Sequence, residues 1–287
     1  MLEQFVRKSF ATILAFAAIG CSLTLDADRR QCLNDSDCSV RGAAFSSSVC
    51  VDSWCTAPPK WSCLDRPFQI SGNKGPHPVS LRVEDVLTQK AKPGVIALLC
   101  RKLDVNCENP LGPAVTSDAA GIVRFDVVPD DPALGFTGYV SFTSSDTMPG
   151  LYFFNPPVDR PIDIPAVQLA PRAVATLLTQ QVGATYDFAR GLILLNTLDC
   201  TGQAVSGVTL ETDADDVMTV PFYSVGGLPA ATATATDMDG YCGVINAVPG
   251  TISVTGRMQE GGRRIATLSL LIKPGAITYS RMVPIGP

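Results

Sequence analysis

An Asp-x-x-Gly turn occurs twice in the same setting, at Asp118 to Gly121 and at Asp237 to Gly240, and this repetition constrains the fold more than any other feature of the 287-residue chain. In the first copy "VSLRVEDVLTQKAKPGVIALL" is followed by "AVTSDAAGIVRFDVVP" and "GYVSFTSS"; in the second "RGLILLNTLDCTGQAVSGVTLET" is followed by "TATDMDGYCGVINAVPG" and "TISVTGRM". Each copy begins with a strand, turns at a glycine (Gly94, Gly207), continues into a second strand, and leaves the Asp-x-x-Gly turn along a strand that ends at Pro129 or Pro249. Side chains alternate across a strand, so Val123, Phe125 and Val127 share one face, expected to be core, while Ile122, Arg124 and Asp126 share the other. The repeat predicts two copies of one β domain.

The second copy, Gly202 to Leu210, then Thr236 to Gly240, then Val248 to Val254, resembles the carboxypeptidase regulatory-like and transthyretin-like β-sandwiches. Gln203-Ala204 stands where that family usually has a proline-containing pair, and Thr251-Ile252 where it has an aromatic. The resemblance implies two tandem Ig-like sandwiches that act as rigid spacers or recognition modules; it specifies a fold more than an activity.

Composition agrees with an all-β chain. Gly (24) and Pro (22) punctuate short Val-, Thr- and Ile-rich runs, the usage of many strands joined by tight turns. The 22 basic residues against 27 acidic ones form no cluster that would neutralise a row of phosphates, which argues against a nucleic-acid partner. "APRAVATLLTQQVG" predicts a linking helix within residues 169–186, with Pro171 at its first position, Val174, Leu177 and Leu178 on its apolar side and Gly183 as its stop. "LYFFNPPVDRPIDIP" reads as too rich in proline for a central strand.

The N-terminus has the parts of an export signal. Arg7 and Lys8 precede an apolar run from Phe10 to Ile19 that is too short to span a bilayer. Ala18-Ile19-Gly20-Cys21 resembles the lipobox of bacterial lipoproteins. That resemblance implies removal of residues 1–20, acylation of Cys21 and, because Ser22 rather than Asp follows, an outer-membrane or cell-surface address. The membrane is then a partner through the lipid anchor.

With Cys21 acylated, nine cysteines remain in an oxidising compartment, an odd number. Cys32, Cys38, Cys50 and Cys55 lie in a polar segment too short to hold a core without cross-links. Three pairings are open, of which Cys32 with Cys50 and Cys38 with Cys55 is favoured. Zinc is disfavoured, because the 5, 11 and 4 intervening residues do not match a zinc knuckle. The segment "CLNDSDCSVRGAAFSSSVCVDSWC" resembles cysteine-rich modules found behind lipoboxes in myxobacterial secreted proteins, and it assigns residues 21–62 to tether and module. The sandwiches then occupy 63–168 and 187–287. Cys100 and Cys107 flank the loop "RKLDVN" and are paired. In a sandwich of the resembled kind Cys200 and Cys242 both lie near strand ends and are paired as well. Cys63 is the unpaired candidate, with Cys100 or Cys107 as its alternative partner.

Catalytic signals are sparse. The single histidine, His77, sits between two prolines and reads as a surface residue. No H-E-x-x-H or G-x-S-x-G motif occurs. Asp213, Asp215, Asp216, Asp237 and Asp239 read as turn residues rather than calcium ligands, and no cofactor or metal is expected. Tyr152, Phe153 and Phe154 are the candidate ligand platform, provided they are exposed. The expectation is a structural or adhesive envelope protein without catalytic activity, with an extracellular or envelope protein or polysaccharide as partner. A polysaccharide- or peptide-binding protein is the alternative, and a carboxylate-dependent hydrolase the third choice.

Overall fold

The computed structural model describes residues 30–41, 48–56, 60–64 and 69–284. The chain divides into two compact units, Met1–Pro58 and Pro59–Pro287. The signal and the lipobox with Cys21 lie outside the described residues.

The first unit holds a short helix, α1 (Asp35–Ser39), and a hairpin of β1 (Val49–Val51) and β2 (Trp54–Thr56). Asn34 caps α1 in a reciprocal box with Asp37, which satisfies N–H groups that a five-residue helix leaves free. Disulfides join Cys32 to Cys50 and Cys38 to Cys55, with Cys32 and Cys38 buried. Among the described residues of this unit only Cys32 and Cys38 are buried, so the bridges serve these segments as their core.

The second unit is all-β apart from one helix. Its first copy contains β3 (His77–Asp85), β4 (Ile96–Arg101), β5 (Val115–Thr116), β6 (Ile122–Val127), β7 (Gly138–Thr143), β8 (Gly150–Phe153) and β9 (Ile162–Leu169). Helix α2 (Arg172–Gln180) follows, then β10 (Gly191–Thr197), β11 (Val208–Thr212), β12 (Val220–Val225), β13 (Leu228–Ala230), β14 (Tyr241–Ala247), β15 (Gly250–Met258), β16 (Arg264–Ile272) and β17 (Ile277–Met282).

The two copies repeat one hydrogen-bond plan. Ser117 Oγ accepts from the Val95 N–H (2.9 Å) and donates to the Lys92 carbonyl (2.8 Å); Thr236 Oγ1 accepts from the Val208 N–H (3.0 Å) and donates to the Val205 carbonyl (2.8 Å). Beyond each Asp-x-x-Gly turn the glycine carbonyl accepts from the strand that opens the copy, Gly121 from Val83 and Gly240 from Thr197, both at 2.8 Å. The sheets correspond as well. In copy one β3 is flanked by antiparallel β6 and parallel β9, and in copy two β10 is flanked by antiparallel β14 and parallel β17.

The copies are not separate beads. Among the described residues one nine-stranded sheet, ordered β13-β12-β14-β10-β17-β8-β7-β4-β5, runs through both. It is continuous because β8, at the edge of one copy's sheet, pairs in parallel with β17 of the other, from Gly150 opposite Ile277 to Phe153 opposite Ser280. The joined sheets are not equivalent ones, and their covers therefore fall on opposite faces. Sheet β6-β3-β9 shares a core with Leu99, Phe142 and Tyr152, whereas sheet β11-β15-β16 shares the other core with Phe153, Ile193 and Leu195.

Several local expectations need correction. The prolines of "LYFFNPPVDRPIDIP" all lie beyond Asn155, so Gly150–Phe153 is free to be a central strand, and the proline-containing β9 takes an edge. Pro171 is the N-cap of α2 rather than its first helical residue, and the helix buries Val174, Ala175 and Thr179 while Leu177 is exposed. His77 is 1% exposed, not on the surface. It begins β3 and points inward in phase with Val79, Leu81 and Val83, and its Nε2 has no hydrogen-bond partner among the described residues. Pro78 is tolerated because the pairing of β3 with β9 begins only at Val79, beyond the missing N–H.

The turn glycines provide a test. Gly121 and Gly240 have positive φ (73° and 69°), and a Cβ at either would meet a backbone carbonyl oxygen at 2.4 or 2.5 Å; Gly94 has the same kind of φ with open space around it. In equilibrium denaturation Gly121→Ala and Gly240→Ala are each expected to cost more than about 1 kcal/mol. Gly94→Ala should cost less than either, and equal losses at all three sites would show that the close approach does not matter.

Candidate functional site

Strand β10 carries the run Leu192-Ile193-Leu194-Leu195, apolar on both faces. Ile193 and Leu195 face the core under β11-β15-β16; Leu192 and Leu194 face the other side. There sheet β6-β3-β9 ends at its edge strand β9, and α2 takes over as cover. A helix of nine residues does not fill that span, and a cleft of about 540 Å³ remains between α2, β9 and the shared sheet.

The floor of the cleft is graded along the strands by register. Ile277 lies opposite Leu192, Tyr279 opposite Leu194, and Arg281 opposite Asn196; Asn196 in turn lies opposite Tyr241. The floor thus passes from an aliphatic end, through Tyr279, Leu194 and Phe222, to a polar end of Arg281, Asn196, Tyr241 and Ser224. Gly243 makes room for the Phe222 ring, because a Cβ there would stand 2.6 Å from it. The Tyr279 hydroxyl donates to the Gln168 carbonyl of β9 at 2.5 Å, tying the floor to the wall.

Burial governs the ionisation of these groups. Desolvation raises the Tyr152 hydroxyl to about 12, with Arg281 nearby acting against it, and it raises Tyr279 further. Tyr241 is raised too, by desolvation first and then by the charges of Asp239 and Glu84. These hydroxyls therefore act as hydrogen-bond donors or acceptors, not as bases, near neutral pH.

The candidate platform is not exposed. Tyr152, Phe153 and Phe154 are 4%, 4% and 7% exposed, because β8 is central and both faces of the sheet are covered. Phe153 stacks on Tyr139 at 4.9 Å in one core, and Phe154 meets Phe136 edge-on in the other. Only Tyr152 reaches the cleft.

The acidic residues cap turns. Asp213 accepts from the Ser253 N–H, Asp215 from the Thr212 hydroxyl, and Asp237 from the N–H groups of Asp239 and Gly226. Asp239 accepts from the Ser224 hydroxyl and from the N–H groups of Gly227 and Tyr241. Asp216 pairs with Arg190 through both guanidinium nitrogens (2.9 and 2.7 Å), which holds its carboxyl well below the usual range. Among the described residues one group, Cys32, Cys38 and Cys55, has metal-ligand character, and its sulfurs are held in disulfides.

The cysteines of the second unit pair as Cys63 with Cys200 and Cys100 with Cys107, and Cys242 is free. This corrects both the Cys200–Cys242 bridge and the unpaired Cys63. Cys242 lies in β14 between Leu195 and Tyr223, fully buried in the core. Cys200 lies on the turn after β10, where its N–H donates to the Lys60 carbonyl and its sulfur meets Cys63. Burial pushes the Cys242 thiol far up, so it is unreactive while the chain is folded.

The C-terminal strand, which supplies Ile277, Tyr279 and Arg281 to the cleft, escaped the sequence reading. Its alternating "AITYSRM" was the available signal, together with a β10 run apolar on both sides.

No protein-family model and no curated protein matches the chain. Among solved structures it is similar to the streptococcal ancillary pilin at 12% identity and a TM-score of 0.25, covering 74% of this chain and 64% of that one. The chain thus spans just under two thirds of that pilin. GBS52, the minor pilin of Streptococcus agalactiae, is similar at 13% identity and a TM-score of 0.22, with 74% and 98% covered. BcpA, the major pilin of Bacillus cereus, is similar at 9% and 0.25, with 72% and 99% covered. The strand pairing itself carries the fold assignment.

Peptide mapping without reduction is expected to yield a cross-linked pair containing Cys63 and Cys200, with Cys242 alkylated only in denaturant. A Cys200–Cys242 peptide would overturn the pairing. In the chain-entropy account, removing the Cys63–Cys200 bridge by paired serine substitutions costs up to about 5 kcal/mol, because it closes a long loop.

Proposed function

We propose that the chain is an exported envelope protein, anchored by acylated Cys21, whose fused sandwiches act as a rigid structural or adhesive module at the outer membrane or cell surface. The observation that carries this reading is the bracing of the folded part: among the described residues, four disulfides and a sheet that runs unbroken through both copies. Disulfides persist in exported proteins and are rare in the cytosol. A continuous sheet resists bending between domains in a way that a linker does not. The export signal and lipobox resemblance at Ala18 to Cys21 supply the address. No helix among the described residues is long and apolar enough to cross a membrane, so in this reading the lipid holds the chain at the surface. Envelope or extracellular proteins are its partners. The glycan reading loses the exposed aromatic strip that motivated it.

Fractionation tests the anchor. Mature protein is expected in the membrane fraction with an N-terminal acylated Cys21 by mass spectrometry, and Cys21→Ser is expected to move it to the soluble fraction. An unmodified Cys21 still joined to its leader would defeat the reading, as would membrane retention of the serine variant.

A further inference from the structure

The cleft has a chemistry that a structural role does not need. Arg281 is the one charged side chain on its lining, and it takes part in none of the ion pairs among the described residues. It is only half-exposed and faces no carboxylate partner among these residues, an arrangement that an anionic ligand would complete. The nearby acids are engaged elsewhere. Glu84 pairs with Arg82 at 2.9 Å, and Asp239 accepts from Ser224, Gly227 and Tyr241. Tyr152, a buried residue near enough to Arg281 to feel its charge, borders the same cleft.

Away from Arg281 the lining turns apolar, with Ile164, Leu192, Leu194, Phe222, Ile245 and Ile277. Leu87 and Leu228, 67% and 54% exposed, border the cleft and make its mouth apolar too. The volume of about 540 Å³ lies within the roughly 300–1,000 Å³ of small-molecule sites. One cation at one end of a greasy trough selects a ligand with one anionic head and a hydrocarbon body. A guanidinium matches a carboxylate in shape and charge.

We propose that this cleft binds a long-chain carboxylate, with the carboxylate on Arg281 and the alkyl chain along β10 and β17 beneath α2. The inference stands on the cleft alone and does not depend on the anchoring of Cys21. Its test uses the chain carrying Cys21→Ser, which bears no acyl group of its own, titrated calorimetrically with dodecanoate below its micellar concentration. Saturable binding of one dodecanoate per chain is expected, with 1-dodecanol at least tenfold weaker. Arg281→Gln should weaken dodecanoate at least tenfold while leaving the alcohol unchanged. Ala166→Trp, which places a ring at a half-buried position on the lining, should block both ligands without altering the circular dichroism spectrum. Absence of saturable dodecanoate binding would overturn the proposal. So would equal affinity for acid and alcohol, or binding indifferent to Arg281→Gln. Should the tryptophan variant fail to fold, the comparison of acid with alcohol and the Arg281 variant still decide.

Discussion

The rest of the second unit depends on the parallel pairing of β8 with β17. An edge strand presents unpaired N–H and C=O groups that must be covered or blunted, and here two such edges, one from each copy, satisfy each other. Side chains reinforce the seam. Ser280 donates to the Phe153 carbonyl at 3.0 Å and Asn155 donates to the Arg281 carbonyl at 2.8 Å. Gly150 lets the Tyr279 ring lie close, since a Cβ there would stand 3.3 Å from it. Parallel pairs are slightly weaker per residue than antiparallel ones, and these added bonds offset part of that difference.

The two covering sheets lie on opposite faces because the seam joins a β4-type sheet to a β10-type one. The strands nearest the junction are therefore buried on both sides, as the composition of β8 and β10 requires: Leu151, Tyr152 and Phe153 in one, Leu192, Ile193 and Leu195 in the other, all buried. The same asymmetry leaves one face of the second copy under a short helix, and the cleft beside Arg281 results. The internal repeat, the shared sheet and the candidate binding site thus follow from one another.

The within-copy plan was legible in the sequence because it is local. Gly94 and Gly121, like Gly207 and Gly240, announce turns through backbone conformations that few other residues adopt, Asp118 and Asp237 through carboxylates that accept from turn N–H groups, and the alternation of Val123, Phe125 and Val127 marks a buried face. The seam was not legible, since strand pairing between copies has no local signature and the register of β8 against β17 is set by shape and burial. Cys63 and Cys200 illustrate the same limit: a separation of 137 residues conceals a bridge that the turn after β10 makes simple. Arg281 is anonymous in sequence, and it gains meaning only where β10, β14 and β17 place it beside Asn196 and Tyr241 at one end of an apolar floor.

A braced, edge-fused pair of sandwiches keeps its shape without relying on a linker, and the account stands or falls on that fusion. Native-state hydrogen exchange of the amides in β8 and β17 tests it most directly, because amides held by a structural seam open only with the whole unit. The account predicts that the hydrogen-bonded amides of Leu151 to Phe153 and of Thr278 to Ser280 exchange with the same opening free energy as the slowest amides of β3 and β10. Exchange at these positions well ahead of both cores would contradict it and show two sandwiches that merely lie side by side.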